Sequence, residues 1–166
     1  MGTKRVGLAR MEALMENLQR DLAMGGGTFS GTYLAMKSAP ASTTTTLTAA
    51  DSGKTILMAP NAAIVTLPSP VVGLHFRVVQ IAAYSTAICK VVTPTTDGTV
   101  FFVGHSVSAD SNDGNDSNNS SNDIIKFGSD TLAGDYIDVF CISTTQWVAI
   151  GSAQTGTSNS ITFADS

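Results

Sequence analysis

LAGDYIDVFCISTTQWVAIGS, residues 132–152, decides the fold class. It reads as a strand, a short polar turn over residues 143–146 and a second strand, which together make a β-hairpin. Successive side chains of a strand point to opposite faces. Ile137, Val139 and Cys141 therefore share one face, and Tyr136, Asp138, Phe140 and Ile142 share the other. Past the turn, Trp147 and Ala149 alternate with Val148 and Ile150. A hairpin with one wet face is apolar on one side only. Here both sides are largely apolar, so the second face is expected to meet another sheet or another subunit. Left wet, Tyr136, Phe140 and Ile142 would make a sticky strand, and they are the candidate oligomer-interface residues.

Outward from the hairpin, short strand-like runs continue in both directions. They cover residues 55–58, 64–67, 74–81, 88–92, 99–103, 124–127 and 161–163. Turn residues separate them, among them Asp51-Ser52-Gly53, Pro60-Asn61, Pro68-Ser69-Pro70, Asp97-Gly98 and Ala133-Gly134-Asp135. In the 74–81 run Leu74, Phe76 and Val78 alternate with His75 and Arg77, giving that strand an inside and an outside. No helical period lies between the runs, which excludes alternating β and α elements. The prediction is a mainly β domain over residues 47–166, an antiparallel β-sandwich or jelly-roll-like fold. Residues 110–123, DSNDGNDSNNSSND, read as a solvated acidic loop dispensable for folding. Calcium binding there is the alternative, but EF-hand spacing fails because Ala109 stands five residues before Gly114.

The N-terminal part has a different period. Leu8, Met11, Met15, Leu18 and Leu22 step by three and four, and Leu14 widens the seam to a broad apolar face. The spacing predicts an amphipathic helix within residues 1–24, stopped by Gly25, Gly26 and Gly27. Lys4, Arg5 and Arg10 make its start basic, against the helix dipole. Those three residues and the six apolar ones form a candidate partner-binding arm. The competing readings are a solvated helix start and a short coiled coil that clasps an oligomer. Residues 25–46, rich in Gly, Ser, Thr and Pro, read as a linker carrying one short apolar patch.

Composition narrows the function classes. Only 13% of the 166 residues are charged and the net charge is -4, so there is no basic stripe for nucleic acid. No apolar run reaches the ~20 residues of a membrane span, and no signal peptide or membrane partner is expected. Cys89 and Cys141 lie within strand-like runs without metal spacing, and are expected to be buried free thiols of a protein folded in a reducing cytosol. No nucleophile elbow, Walker or dinucleotide pattern occurs. The two glutamates, Glu12 and Glu16, both belong to the helix, and Asp135 and Asp138 lie along one strand instead of across a cleft. The sequence predicts no catalysis, no cofactor and no metal site.

Several segments do resemble a family. LTAADSGKT at 47–55, TLP at 66–68 and GLHFRV at 73–78 look like small virion structural proteins of tailed phages. AGDYI at 133–137 and QWVAIG at 146–151 fit the same pattern. KRVGLARMEAL at 4–14 is similar to the start of virion proteins of marine cyanophages and related phages. The acidic loop has no counterpart in the resemblance, and the matching motifs mark no catalytic residue. The resemblance implies a β-sandwich on the capsid surface, a decoration (cement) protein made in the host bacterial cytoplasm. Its implied partners are the major capsid protein, reached through the N-terminal arm, and further copies of itself in a homotrimer. The competing class is a receptor- or carbohydrate-binding module of a fibre or spike, which needs exposed aromatic platforms. A weaker third is an assembly factor absent from the finished particle.

Overall fold

The computed structural model describes residues 35–95, 99–108, 115–117, 121–155 and 160–165, within the compact unit that spans Leu34–Ser166. The predicted helix at 1–24 and the start of the predicted linker lie outside the described residues.

Alternating burial builds the strands. In chain order they are β1 (Met36–Ala39), β2 (Thr44–Thr46), β3 (Thr55–Met58), β4 (Ile64–Thr66), β5 (His75–Gln80) and β6 (Cys89–Val92). There follow β7 (Phe101–Ser108), β8 (Asn115–Ser117), β9 (Ile124–Phe127), β10 (Tyr136–Cys141), β11 (Gln146–Ala153) and β12 (Ile161–Ala164). They form a seven-stranded sheet, β1-β3-β5-β10-β11-β7-β8, and a five-stranded sheet, β12-β9-β6-β4-β2. The hairpin is as predicted: Ile137, Val139 and Cys141 are buried and pair with Gly151, Ala149 and Trp147. One apolar cluster joins the sheets, with Ile56, Phe76, Val139 and Trp147 from the larger and Val65, Val91, Ile125 and Phe127 from the smaller. Trp147 and Phe76 meet at 6.0 Å between ring centroids with a 42° tilt, a favoured aromatic arrangement. Cys89 and Cys141 are buried and unbridged.

The expectation of an antiparallel sandwich needs correction, because both sheets are mixed. From β1 to β7 the chain alternates between the two sheets at every strand. β1, β3 and β5 lie parallel in the larger sheet, and β2, β4 and β6 lie parallel in the smaller. Parallel neighbours need a long crossover, usually a helix. Here the strand in the opposite sheet is the crossover, so the missing helical period did not mean antiparallel pairing. β11 also runs parallel to β7; the antiparallel pairs join β10 to β5 and β11, β9 to β6 and β12, and β7 to β8.

Two boundaries also move. Residues 36–39 and 44–46, assigned by sequence to the linker, are the edge strands β1 and β2 of the two sheets. Their Thr and Ser content resembled a tether, but an edge strand needs only its backbone groups and one buried side chain, here Ala39. The acidic run is not solvated throughout. Asn115–Ser117 pairs with β7, and Asp123 at its end is fully buried.

A buried carboxylate ties the winding together. Asp51, in a single 3-10 turn (Ala49–Asp51), accepts hydrogen bonds from Lys37 Nζ at 2.7 Å and Lys54 Nζ at 2.8 Å. The Thr48 backbone N–H and hydroxyl add two more at 3.0 Å. Asp51 therefore fastens β1 to the entrance of β3. Burial pushes its carboxyl pKa up, but the two lysines and Thr48 outweigh that and hold it far below the usual carboxylate range. A glycine sets the β7–β11 contact. Gly104 sits opposite Ala149 at φ +152°, and a Cβ there would lie 1.8 Å from the Ala149 carbonyl oxygen.

Asp51→Ala is expected to cost about 1–3 kcal/mol in urea unfolding, since each lysine left behind keeps access to water. Because the folded-state pKa of Asp51 lies below its unfolded value, its contribution is complete above about pH 4 and is lost as the pH falls further. The gap in stability between parent and Asp51→Ala should narrow below that pH. Gly104→Ala should yield no folded protein or lose more than about 4 kcal/mol, read by circular dichroism, because the obstructing atom is backbone.

Candidate functional site

The outer face of the seven-stranded sheet is where outward residues of many strands collect. Register places them in rows across β5, β10, β11 and β7. One row runs His75, Phe140, Val148, Val103; the next runs Arg77, Asp138, Ile150, His105; a third runs Val79, Tyr136, Ser152, Val107. Phe140 and Tyr136 are half-buried. Ile142, just past the end of β10, is 50% exposed, Ile150 41% and Val107 53%. Tyr136, Phe140 and Ile142 thus stand outward, as the alternation predicted. Ile150 continues the apolar surface onto β11, as the hairpin alternation indicated, and Val107 extends it onto β7, where sequence reasoning had not followed it.

A charged fork crosses this face. Arg77 Nε donates to Asp138 Oδ1 at 2.7 Å and Nη2 to Asp138 Oδ2 at 2.6 Å. This two-pronged geometry suits the planar guanidinium. The same guanidinium lies 4.6 Å from the Tyr136 ring centroid, a cation–π distance. The hydrogen bonds to Asp138 raise the Arg77 pKa, with burial acting against them. Sequence showed both residues as outward-facing, but their pairing depends on β5 lying beside β10, which alternation does not reveal. Beside the fork is a concavity of about 340 Å³ lined by Lys54, Thr55, His75, Arg77, Asp138 and Phe140, near the lower end of small-ligand pockets.

Other candidates resolve more simply. Trp147 is fully buried and offers no exposed platform. Cys141 donates its thiol to the Ser143 carbonyl at 3.0 Å, and burial pushes its pKa up. Among the described residues no three His, Cys, Asp or Glu side chains converge on a common point, and no helix is long and apolar enough to cross a membrane. Lys4, Arg5, Leu8, Arg10, Met11, Leu14, Met15, Leu18 and Leu22 lie outside the described residues.

The Arg77–Asp138 fork sits in water, with side chains 50% and 30% exposed. Asp138→Asn is therefore expected to lower stability by only about 0.2–1 kcal/mol, with the difference shrinking in molar salt; paired urea titrations at two salt concentrations measure it. Set against known proteins, the chain matches no family model and no curated protein.

Proposed function

We propose that the protein is an oligomeric structural protein of a phage particle, of the capsid-decoration kind. In this reading it associates with copies of itself through the outer face of its larger sheet, and residues 1–24 attach it to the major capsid protein. One observation carries the self-association: Tyr136, Phe140, Ile142, Ile150 and Val107 share a broad outward face that nothing within the described residues covers. Burying an apolar side chain of this size gains about 1.5–3 kcal/mol, so a few such residues per copy suffice for a contact. The assignment to a phage particle, and the number three for the oligomer, rest on the sequence resemblance.

A second reading has its own support. The concavity beside Phe140 combines an aromatic ring with Arg77, Asp138 and His75, the mixture of apolar face and hydrogen-bonding groups that a saccharide needs. A receptor- or carbohydrate-binding module would leave this face open in the assembled protein. The decoration reading covers it.

Light scattering separates the two. The full chain at micromolar concentration should have trimer mass, and Phe140→Asp should shift it to monomer while the melting temperature changes little. A monomeric parent overturns the self-association reading. Deleting residues 1–24 should leave the oligomer intact and abolish co-sedimentation with capsids. Truncated protein that falls to monomers makes that segment the clasp of the oligomer.

A further inference from the structure

We infer that Asp123 is the anionic ligand of a buried site for a hard cation of the calcium class, at the end of the sandwich where β6, β7 and β9 meet. The observation is a contrast among buried carboxylates. Asp51 accepts four hydrogen bonds. Asp135 receives the backbone N–H groups of Gln154 and Leu132, each at 2.9 Å. Asp123 is equally inaccessible, at 0% exposure, yet neither of its carboxylate oxygens has a partner. A buried ionised group without compensation costs several kcal/mol, so something must neutralise it.

The surroundings favour a cation. Register places Thr93 opposite Asp123, one step beyond the Val92–Ile124 pair, and both side chains face the core with Val91 and Ile125. The Thr93 N–H is committed to the Asp123 carbonyl at 3.0 Å, and the Phe102 N–H to the Asn122 carbonyl at 2.7 Å. The Thr93 hydroxyl donates to the Thr95 carbonyl at 2.5 Å, and the Thr95 and Thr99 hydroxyls meet at 3.3 Å. The Thr93 N–H and hydroxyl and the Phe102 N–H are thus committed elsewhere, while the Thr93 hydroxyl oxygen keeps a lone pair. One carboxylate among neutral oxygens suits calcium-like ions, which take oxygen ligands and keep waters, and does not suit zinc or copper. A single charged ligand implies weak binding, in the about 10⁻⁴–10⁻³ M range of low-charge calcium sites. The run DSNDGNDSNN immediately upstream in sequence would raise the local cation concentration.

Full-length parent protein, Asp123→Asn and Thr93→Val are melted in millimolar calcium chloride and in EDTA. The parent should melt several degrees higher in calcium, and neither variant should respond. In EDTA, Asp123→Asn should melt above the parent, because the uncompensated charge has gone. Terbium, which replaces calcium, gives a positional readout through the sole tryptophan: Trp147 pairs with Phe102 in register, and the Phe102 N–H binds the carbonyl of Asn122, the residue before Asp123. Excitation of Trp147 should sensitise terbium emission that calcium competes away. Asp123→Asn should lose it, and a variant with Asp110, Asp113 and Asp116 changed to Asn should keep it. Identical melting of the parent in calcium and EDTA overturns the inference. Emission that survives Asp123→Asn but disappears in the triple variant overturns it in favour of the upstream acidic run. Should Asp123→Asn fail to fold, the triple variant still decides: calcium-competed emission and calcium-dependent melting kept in it support the inference, and their loss overturns it.

Discussion

The ladders that β10 makes on both of its edges hold together two parts of the larger sheet that share no other strand. On one side lies β5, the last of the mutually parallel strands β1, β3 and β5; on the other lies β11, which carries β7 and β8. Every inward residue of β10 is buried. A shift of β10 by one residue against either neighbour would turn Ile137, Val139 and Cys141 outward and bring Asp138 into the core. The register is therefore fixed by the cost of burying that carboxylate as much as by apolar gain. The same constraint creates the outer face, because a strand that must hide its odd-numbered residues must show Tyr136, Asp138 and Phe140.

Sequence carried the periodicity well and the neighbourhood poorly. Alternation identified β3 and β9 to the residue and β5, β6 and β10 to within one or two, because a period of two is a local property of the chain. It also gave the correct inside and outside of β5 and β10. It contained nothing about which sheet a strand joins. The winding from β1 to β6 became antiparallel in the sequence reading for that reason, and β1 and β2 were absorbed into a linker. Their contribution to the core is little more than Ala39, too little for any hydrophobic pattern. The candidate face was half legible. Tyr136, Phe140, Ile142 and Ile150 all belong to one hairpin, whereas Val107 joins them only through the parallel β7–β11 pairing, and Arg77 meets Asp138 only through the β5–β10 pairing.

Asp51, Asp135 and Asp123 show that burial of a carboxylate says little until its donors are counted. Asp51 draws on two lysines brought in by β1 and the entrance of β3, so its charge is a device for closing the winding. Asp135 draws on backbone N–H groups and fixes the turn that leads into β10. Lys37 lies 14 residues from Asp51 and the partners of Asp135 are backbone, so neither was readable from sequence, whereas Lys54 and Thr48 lie three residues from Asp51. Asp123 was unreadable for the opposite reason: it ends a run of polar residues and shares their composition, but strand β9 begins at the next residue and fixes its side chain inward.

The four outer strands bear on how copies of this domain would meet in the proposed oligomer. A free edge invites pairing with another chain. Here the larger sheet ends in β1 and β8, of four and three residues, and the smaller in β12 and β2, of four and three. β1 carries Lys37 and is followed by Pro40, which has no N–H to offer, and β2 is three threonines. Short ladders give few hydrogen bonds to a strand-adding partner, and Lys37 is already committed to Asp51. Of the long strands β7 and β11, of eight residues each, β11 lies between β10 and β7, and β7 is paired along one edge by β11 and over Gly104–Ser106 on the other by β8. What remains available is a face. Its apolar residues supply affinity without direction, and the Arg77–Asp138 fork among them penalises any partner that would bury it without satisfying both charges. Association through this surface, as proposed, would therefore select a docking geometry that keeps the fork at the rim or meets it with polar groups.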